Sequence, residues 1–199
     1  MANDHFTDAQ VSGGSGQRPE TLWLIDDFSN PGASKLGTPW RAVSDQVMGG
    51  VSTASLRRLQ SADLNVICLE GDVSLENNGG FAQINLDLSA DGPLDASGYT
   101  GVWLIQRGNG ADYSLHLKTT ATRLPWQSYR AGFSSTADWV ALKLPFADFV
   151  PHRIDQPLDP ARLKRLGLVA IGREMTAELC VAEVGFYRDG PVRAAPNPD

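Results

Sequence analysis

The sequence predicts an all-β fold, an antiparallel two-sheet jelly-roll sandwich. Three observations carry that prediction. Apolar residues fall in short runs that often alternate with polar ones, the signature of half-buried strands. Turn residues separate the runs, with Asn78-Gly79 and Asn109-Gly110 the clearest hairpin signals. One segment alone starts like a helix, so the crossovers that a parallel sheet needs are missing. Roughly nine or ten strands of this kind pack as two sheets, with an up-and-down barrel as the alternative.

The elements follow in chain order. Leu22–Phe28, Val51–Leu59 and Leu64–Leu75 are the first strand candidates. Phe81–Leu88 puts Ala82, Ile84, Leu86 and Leu88 on one face and Gln83, Asn85 and Asp87 on the other. Gly101–Ile105 is apolar on both faces and reads as a central strand. In Tyr113–Lys118 the residues Tyr113, Leu115 and Leu117 point inward, opposite Ser114, His116 and Lys118. Gln127–Phe133, Trp139–Leu144, Leu166–Ile171 and Ala177–Tyr187 complete the set. The helical start is Asp159-Pro160, a cap followed by a proline suited to the first helical position, leading into Ala161–Leu166.

Residues 1–20 are polar and glycine-rich, and residues 189–199 read as a linker; both are expected to be disordered tails around one domain, residues 21–188. A domain of that length buries roughly 70% of its unfolded surface and needs no disulfide. Cys68 and Cys180 sit in apolar runs and read as buried reduced thiols; a bond between them cannot be read from the sequence. The net charge of −6 and pI near 5.0, with no basic stripe, argue against a nucleic-acid partner. No apolar run reaches membrane-spanning length. The start Met1-Ala2-Asn3-Asp4-His5 has no basic or apolar leader region. The expected location is the cytoplasm, free or at the face of a membrane complex.

The densest stretch is Trp40-Arg41-Ala42-Val43-Ser44-Asp45-Gln46-Val47-Met48-Gly49-Gly50-Val51-Ser52. Its paired glycines disfavour a helix and suit a sharp bend or a close backbone approach. Ser44 and Asp45 admit two readings. They line a polar site, or they bond nearby amides and shape a turn. Glu76-Asn77-Asn78-Gly79-Gly80-Phe81 admits the same pair, as a hairpin loop or as Asn side chains that read hydroxyls or a partner backbone. Gly108-Asn109-Gly110 lacks the third glycine and the following helix that a dinucleotide loop requires.

Catalysis has little material. The histidines are His5, His116 and His152, there is no Gly-x-Ser-x-Gly elbow, and no spacing suits a metal. No catalytic residue, metal ligand or cofactor is assigned. A hydrolase built on two carboxylates among Asp45, Glu70, Asp72 and Glu76 stays as one alternative. Trp103 and Trp139 read as core. Trp40, Trp126 and Tyr129 are open between core and a ligand platform, with Arg107, Arg123 and Arg130 as companions for carboxylates.

Several of these segments resemble, in order and spacing, the complex I intermediate-associated family. Its namesake is the thirty-kilodalton assembly protein of mitochondrial NADH:ubiquinone oxidoreductase. They are Trp40 with Val43–Ser52, Leu75–Phe81, Arg107-Gly108-Asn109-Gly110 with Tyr113, Tyr129 with Phe133, Trp139, and Leu144-Pro145-Phe146 with Phe149-Val150-Pro151. The resemblance runs from about Leu24 to Phe186, and Asn109 stands where the family usually has Asp. It implies a galactose-binding-domain-like jelly roll and a non-enzymatic role, holding a protein client during assembly of the respiratory NADH dehydrogenase. The chain looks like a bacterial-type member. The implied partner-binding residues are Trp40, Ser44, Asp45, Met48, Gly49, Gly50 and Ser52 on the first segment. Asn77, Asn78, Gly79 and Phe81 are those of the second, and Arg107, Asn109, Tyr113 and Tyr129 lie further along. A carbohydrate-binding module is the other alternative.

Overall fold

Among the described residues, twelve strands form two six-stranded sheets, antiparallel at every pairing. A computed structural model describes residues 18–61 and 63–189. The expected tails therefore lie mostly outside the described residues. In chain order the strands are β1 Thr21–Asp26, β2 Trp40–Ser44, β3 Ser55–Ser61, β4 Leu64–Val73, β5 Phe81–Asp87 and β6 Gly101–Gly108. Then follow β7 Asp112–Thr119, β8 Ser128–Ser134, β9 Val140–Pro145, β10 Val150–His152, β11 Leu163–Ile171 and β12 Met175–Arg188. The first sheet runs β3-β4-β12-β6-β9, with β1 sharing an edge of the long β12. The second runs β10-β8-β7-β11-β5-β2.

The core follows from the period of two. Ala82, Ile84 and Leu86 of β5, Leu115 and Leu117 of β7, and Leu166, Leu168 and Ala170 of β11 meet Ile67, Leu69, Val102, Leu104, Leu179 and Val181 of the facing sheet. The alternation predicted for β5 and β7 is borne out by this packing. So is the central place of β6: Val102 and Leu104 enter the core, while Trp103 and Ile105 enter a second apolar cluster on the sheet's outer face. That outer cluster is topped by Arg107 over Trp139 and Lys143 over Tyr187. Arg–aromatic contacts of this kind cover apolar surface while keeping the charge wet.

One unassigned segment is placed, one expectation is sharpened from one or two turns to one, and one is corrected. Trp40–Ser44 is a strand, pairing with Leu86–Ala82, because Trp40 is buried between the sheets and its Nε1–H donates to buried Asp26 at 2.9 Å. The start at Asp159 gives one turn only: Asp159 accepts from the Ala161 N–H, and the chain enters β11 at Leu163, whose side chain is needed in the core. The corrected reading is that of Cys68 and Cys180 as reduced thiols: they face each other across β4 and β12 and form a disulfide. Their separation of 112 residues hides that pairing in the sequence.

The disulfide closes a long loop, so it restricts the unfolded chain. Replacing Cys68→Ala together with Cys180→Ala is expected to lower the unfolding free energy by about 2–4 kcal/mol. The shift in urea midpoint measures this, and reductant added to the native chain should reproduce it.

Candidate functional site

Five connections gather at one end of the sandwich: β2–β3, β4–β5, β6–β7, β8–β9 and β11–β12. The two glycine-rich segments occupy the first two. In the first, Ser44 caps a single 3-10 turn, Asp45–Met48, and its hydroxyl accepts from the Gln46 N–H. Gly49 closes the turn onto the Gln46 carbonyl, and the Gly50 N–H bonds the Asp45 carbonyl. In the second, Glu76–Asn78 forms another 3-10 turn, with Gly79 N–H on the Glu76 carbonyl. The Asn78 side chain lies outside the described part of the structure.

Asp45 joins the two. Its side chain is fully buried, at 0% exposure. Oδ1 accepts from the Ser52 N–H at 2.9 Å. Oδ2 accepts from the Ser52 hydroxyl and the Gly80 N–H, each at 2.5 Å, and from the Phe81 N–H at 3.3 Å. With its one proton given to Asp45, the Ser52 hydroxyl accepts from the Ser74 N–H at 2.9 Å. The carboxylate is thus a bridge between the β2–β3 and β4–β5 connections.

The glycines follow from that bridge. A methyl group on Gly50 or Gly79 would overlap the Asp45 carboxyl group. Both positions are glycine so that backbone can press against the buried charge. Burial alone would raise the Asp45 pKa; the Ser52 hydroxyl and the Gly80, Phe81 and Ser52 amides outweigh it and hold the carboxyl below its usual range.

The bridge has a surface consequence. Val47 and Met48 on the first turn, Val51 just after it, and Leu75 at the mouth of the second are exposed by 72%, 58%, 44% and 48%. These are four of the seven large apolar side chains exposed among the described residues, and all sit on the two segments that Asp45 ties. Of the four, only Met48 is among the contact residues expected from the sequence, and it is exposed. Val47, Val51 and Leu75 are not: Val51 and Leu75 read as ends of the strand candidates Val51–Leu59 and Leu64–Leu75, whereas β3 starts at Ser55 and β4 ends at Val73.

The other expected site residues do not join this patch. Trp40 is 6% exposed and in the core, so it offers no surface contact. Tyr129 is fully buried, its hydroxyl on the Pro157 carbonyl. Arg107 lies over Trp139 on the outer face of the first sheet. Asn109 and Tyr113 share the rim but serve as fasteners. The Asn109 amide donates to the Thr176 carbonyl at 2.8 Å, its oxygen accepts from the Tyr113 hydroxyl, and that hydroxyl accepts from the Glu178 N–H. An Asp at this position could not make the donation to Thr176. Asn77 is exposed with a left-handed backbone. Among the described residues no group of three or more His, Cys, Asp or Glu is placed to hold a metal.

The family model for Complex I intermediate-associated protein 30 (CIA30) matches residues 27–181. The chain belongs to this family. No curated protein matches it. Solved structures share the fold at low identity. A family 11 carbohydrate-binding module of the cellulosomal cellulase Lic26A-Cel5E of Clostridium thermocellum superposes with TM-score 0.66 at 13% identity, covering 84% of this chain and 95% of that one. The Clostridium thermocellum family 11 module in complex with a β-1,3-1,4-mixed-linked tetrasaccharide gives 0.63 at 13%, covering 84% and 96%. A family 30 carbohydrate-binding module gives 0.55 at 15%, covering 75% and 87%. The all-β jelly-roll expectation is borne out.

Two outcomes follow from the buried bridge. Asp45→Ala strands three backbone donors and is expected to cost at least about 3 kcal/mol; Gly50→Ala should cost about 1–3 kcal/mol by overlap. Both are read by chemical denaturation. The folded-state pKa of Asp45 is depressed, so its contribution is full above the ordinary carboxylate pKa and is lost as pH falls through the lower, folded value. Native stability should therefore drop more steeply than that of Asp45→Asn in that acid window.

Proposed function

We propose that this chain is a non-enzymatic, protein-binding member of its family, which holds a client subunit during assembly of the respiratory NADH:ubiquinone oxidoreductase. The observation that carries this reading is the apolar patch of Val47, Met48, Val51 and Leu75 on a rigidly tied rim. Exposed apolar side chains gathered in one place mark interaction sites. Met adapts to irregular partner surfaces. Ser44 and Asn77 flank the patch with polar groups suited to a rim.

The hydrolase reading loses its main residue. Asp45 is enclosed by donors that already take both of its oxygens. Asp72 receives the Thr176 hydroxyl, and Glu70 is paired with Arg57. Among the described residues no helix is long and apolar enough to cross a membrane, so the reading has the protein work at the surface of a membrane complex. A disulfide persists in oxidising surroundings. The Cys68–Cys180 bond therefore counts against the expected cytoplasmic location and favours an oxidising side of that membrane.

The test uses a deletion strain of the native host. Loss of the gene is expected to lower membrane NADH:ubiquinone activity and leave partial assemblies on a native gel. The native gene should restore both. Val47→Asp with Met48→Asp should fold normally, since both side chains are exposed, yet fail to restore the mature complex. A deletion strain with normal complex levels overturns the assembly role; full rescue by the double variant overturns the patch.

A further inference from the structure

The outer face of the second sheet carries a feature that assembly does not use. Alternation puts the residues between the core positions of β5, β11 and β7 on this face. Register arranges them in three rows: Gln83, Val169 and Ser114; Asn85, Gly167 and His116; Asp87, Arg165 and Lys118. Arg130 of β8 extends the middle row beside His116. Gly167 leaves the centre of the grid without a side chain, and the Gln83 amide oxygen leans over it, 3.3 Å from where a Cβ would stand. Although they face away from the core, Asn85 and Val169 are only 4% and 1% exposed. Neighbouring side chains therefore cover these two, and the face runs at the rim into a pocket of about 160 Å³ beside Ser114 and Val169.

Its chemistry is uneven. Asp87 is matched by Arg41 and Arg165. Among the described residues Lys118 and Arg130 have no carboxylate partner; Lys118 rests on the Pro125 carbonyl and Arg130 on the Ser128 hydroxyl. His116 Nε2 is buried without a hydrogen-bond partner. Burial and the neighbouring Arg130, His152 and Lys118 push the His116 pKa down to about 3, so the ring is neutral at ordinary pH. The loop that receives Lys118 also carries Trp126, 49% exposed, at the edge of this face.

The geometry points to a binding site for an acidic saccharide, a sugar bearing a carboxylate, on this face. Arg130 and Lys118 take the carboxylate through charge-assisted hydrogen bonds. Gln83 supplies both a donor and an acceptor for hydroxyls. Trp126 offers its ring to the apolar side of the sugar. A neutral sugar would leave two unpaired cations facing it, and a bare carboxylate would leave the amide and the indole unused. The site is separate from the apolar rim patch and stands or falls independently of it.

The test is a calorimetric and NMR titration of the full chain with galacturonate and glucuronate oligosaccharides, with neutral oligosaccharides of equal length, and with acetate. The acidic oligosaccharides should bind at millimolar concentration or below and weaken as salt is added. Amide shifts should centre on β5, β7 and β11. Arg130→Gln should weaken binding roughly tenfold, the size of one lost charge-assisted contact. Trp126→Ala, at an exposed position, should weaken it by a similar factor without altering thermal unfolding. No binding of any uronate, equal binding of the neutral oligosaccharides, or equal binding of acetate overturns the proposal. Unchanged affinity in Arg130→Gln overturns it as well.

Discussion

One buried carboxylate organises the end of this sandwich on which the functional reading rests. Among the described residues Asp45 has no basic partner; it is held by a hydroxyl and three backbone amides drawn from two separate connections. A buried charge is tolerated only when its lone pairs are met. Here meeting them requires the β4–β5 connection to approach the β2–β3 connection to hydrogen-bond distance. Gly50 and Gly79 remove the atoms that would prevent it. The charge thus sets the spacing of two loops, and the loops set the surface.

That spacing extends into both sheets. Asp45 follows directly on β2, and Phe81, one of its donors, begins β5. Ser52 and Thr53 reach the end of β4, through Ser74 and Asp72, and so touch the other sheet. Gly172, after β11, donates to the Gly80 carbonyl and draws in a third connection. The knot therefore closes the mouth between the sheets as a lid of backbone hydrogen bonds. Asn109 and Tyr113 do the same further along, fastening the β6–β7 connection, which crosses between the sheets, to β12.

Much of the fold was legible because burial in a sheet repeats every second residue. The alternation of Phe81–Leu88 and Tyr113–Lys118 reports one buried face directly, and the doubly apolar Gly101–Ile105 reports a strand covered on both sides. Short or irregular elements escaped. β10 has three residues and a proline. β2 hides inside a motif whose glycines draw attention to its loop. In the site, Asp45 and the glycines could be read as turn or as ligand face, and the structure joins the two readings. The polar residues are the turn, and the apolar residues between them make the surface. No local pattern announces that Asp45 meets Gly80, because that contact spans 35 residues. The disulfide was hidden for the same reason.

The separation of roles within one motif has a physical basis. Apolar loop residues left to themselves collapse, because each Å² of apolar surface removed from water gains roughly 25 cal/mol. A loop that keeps Val47, Met48, Val51 and Leu75 in water therefore needs a counterforce. Asp45 supplies one. Folding the turn inward would strip a buried carboxylate of its donors, a cost comparable to the apolar gain. The polar residues of the motif hold the backbone out so that its apolar residues stay exposed, and glycine is the residue that lets the two coexist. On this argument the residues whose loss abolishes folding and those whose loss abolishes docking alternate along the same thirteen-residue stretch. A stability scan and a docking scan of Trp40–Ser52 should divide it into two sets with little overlap.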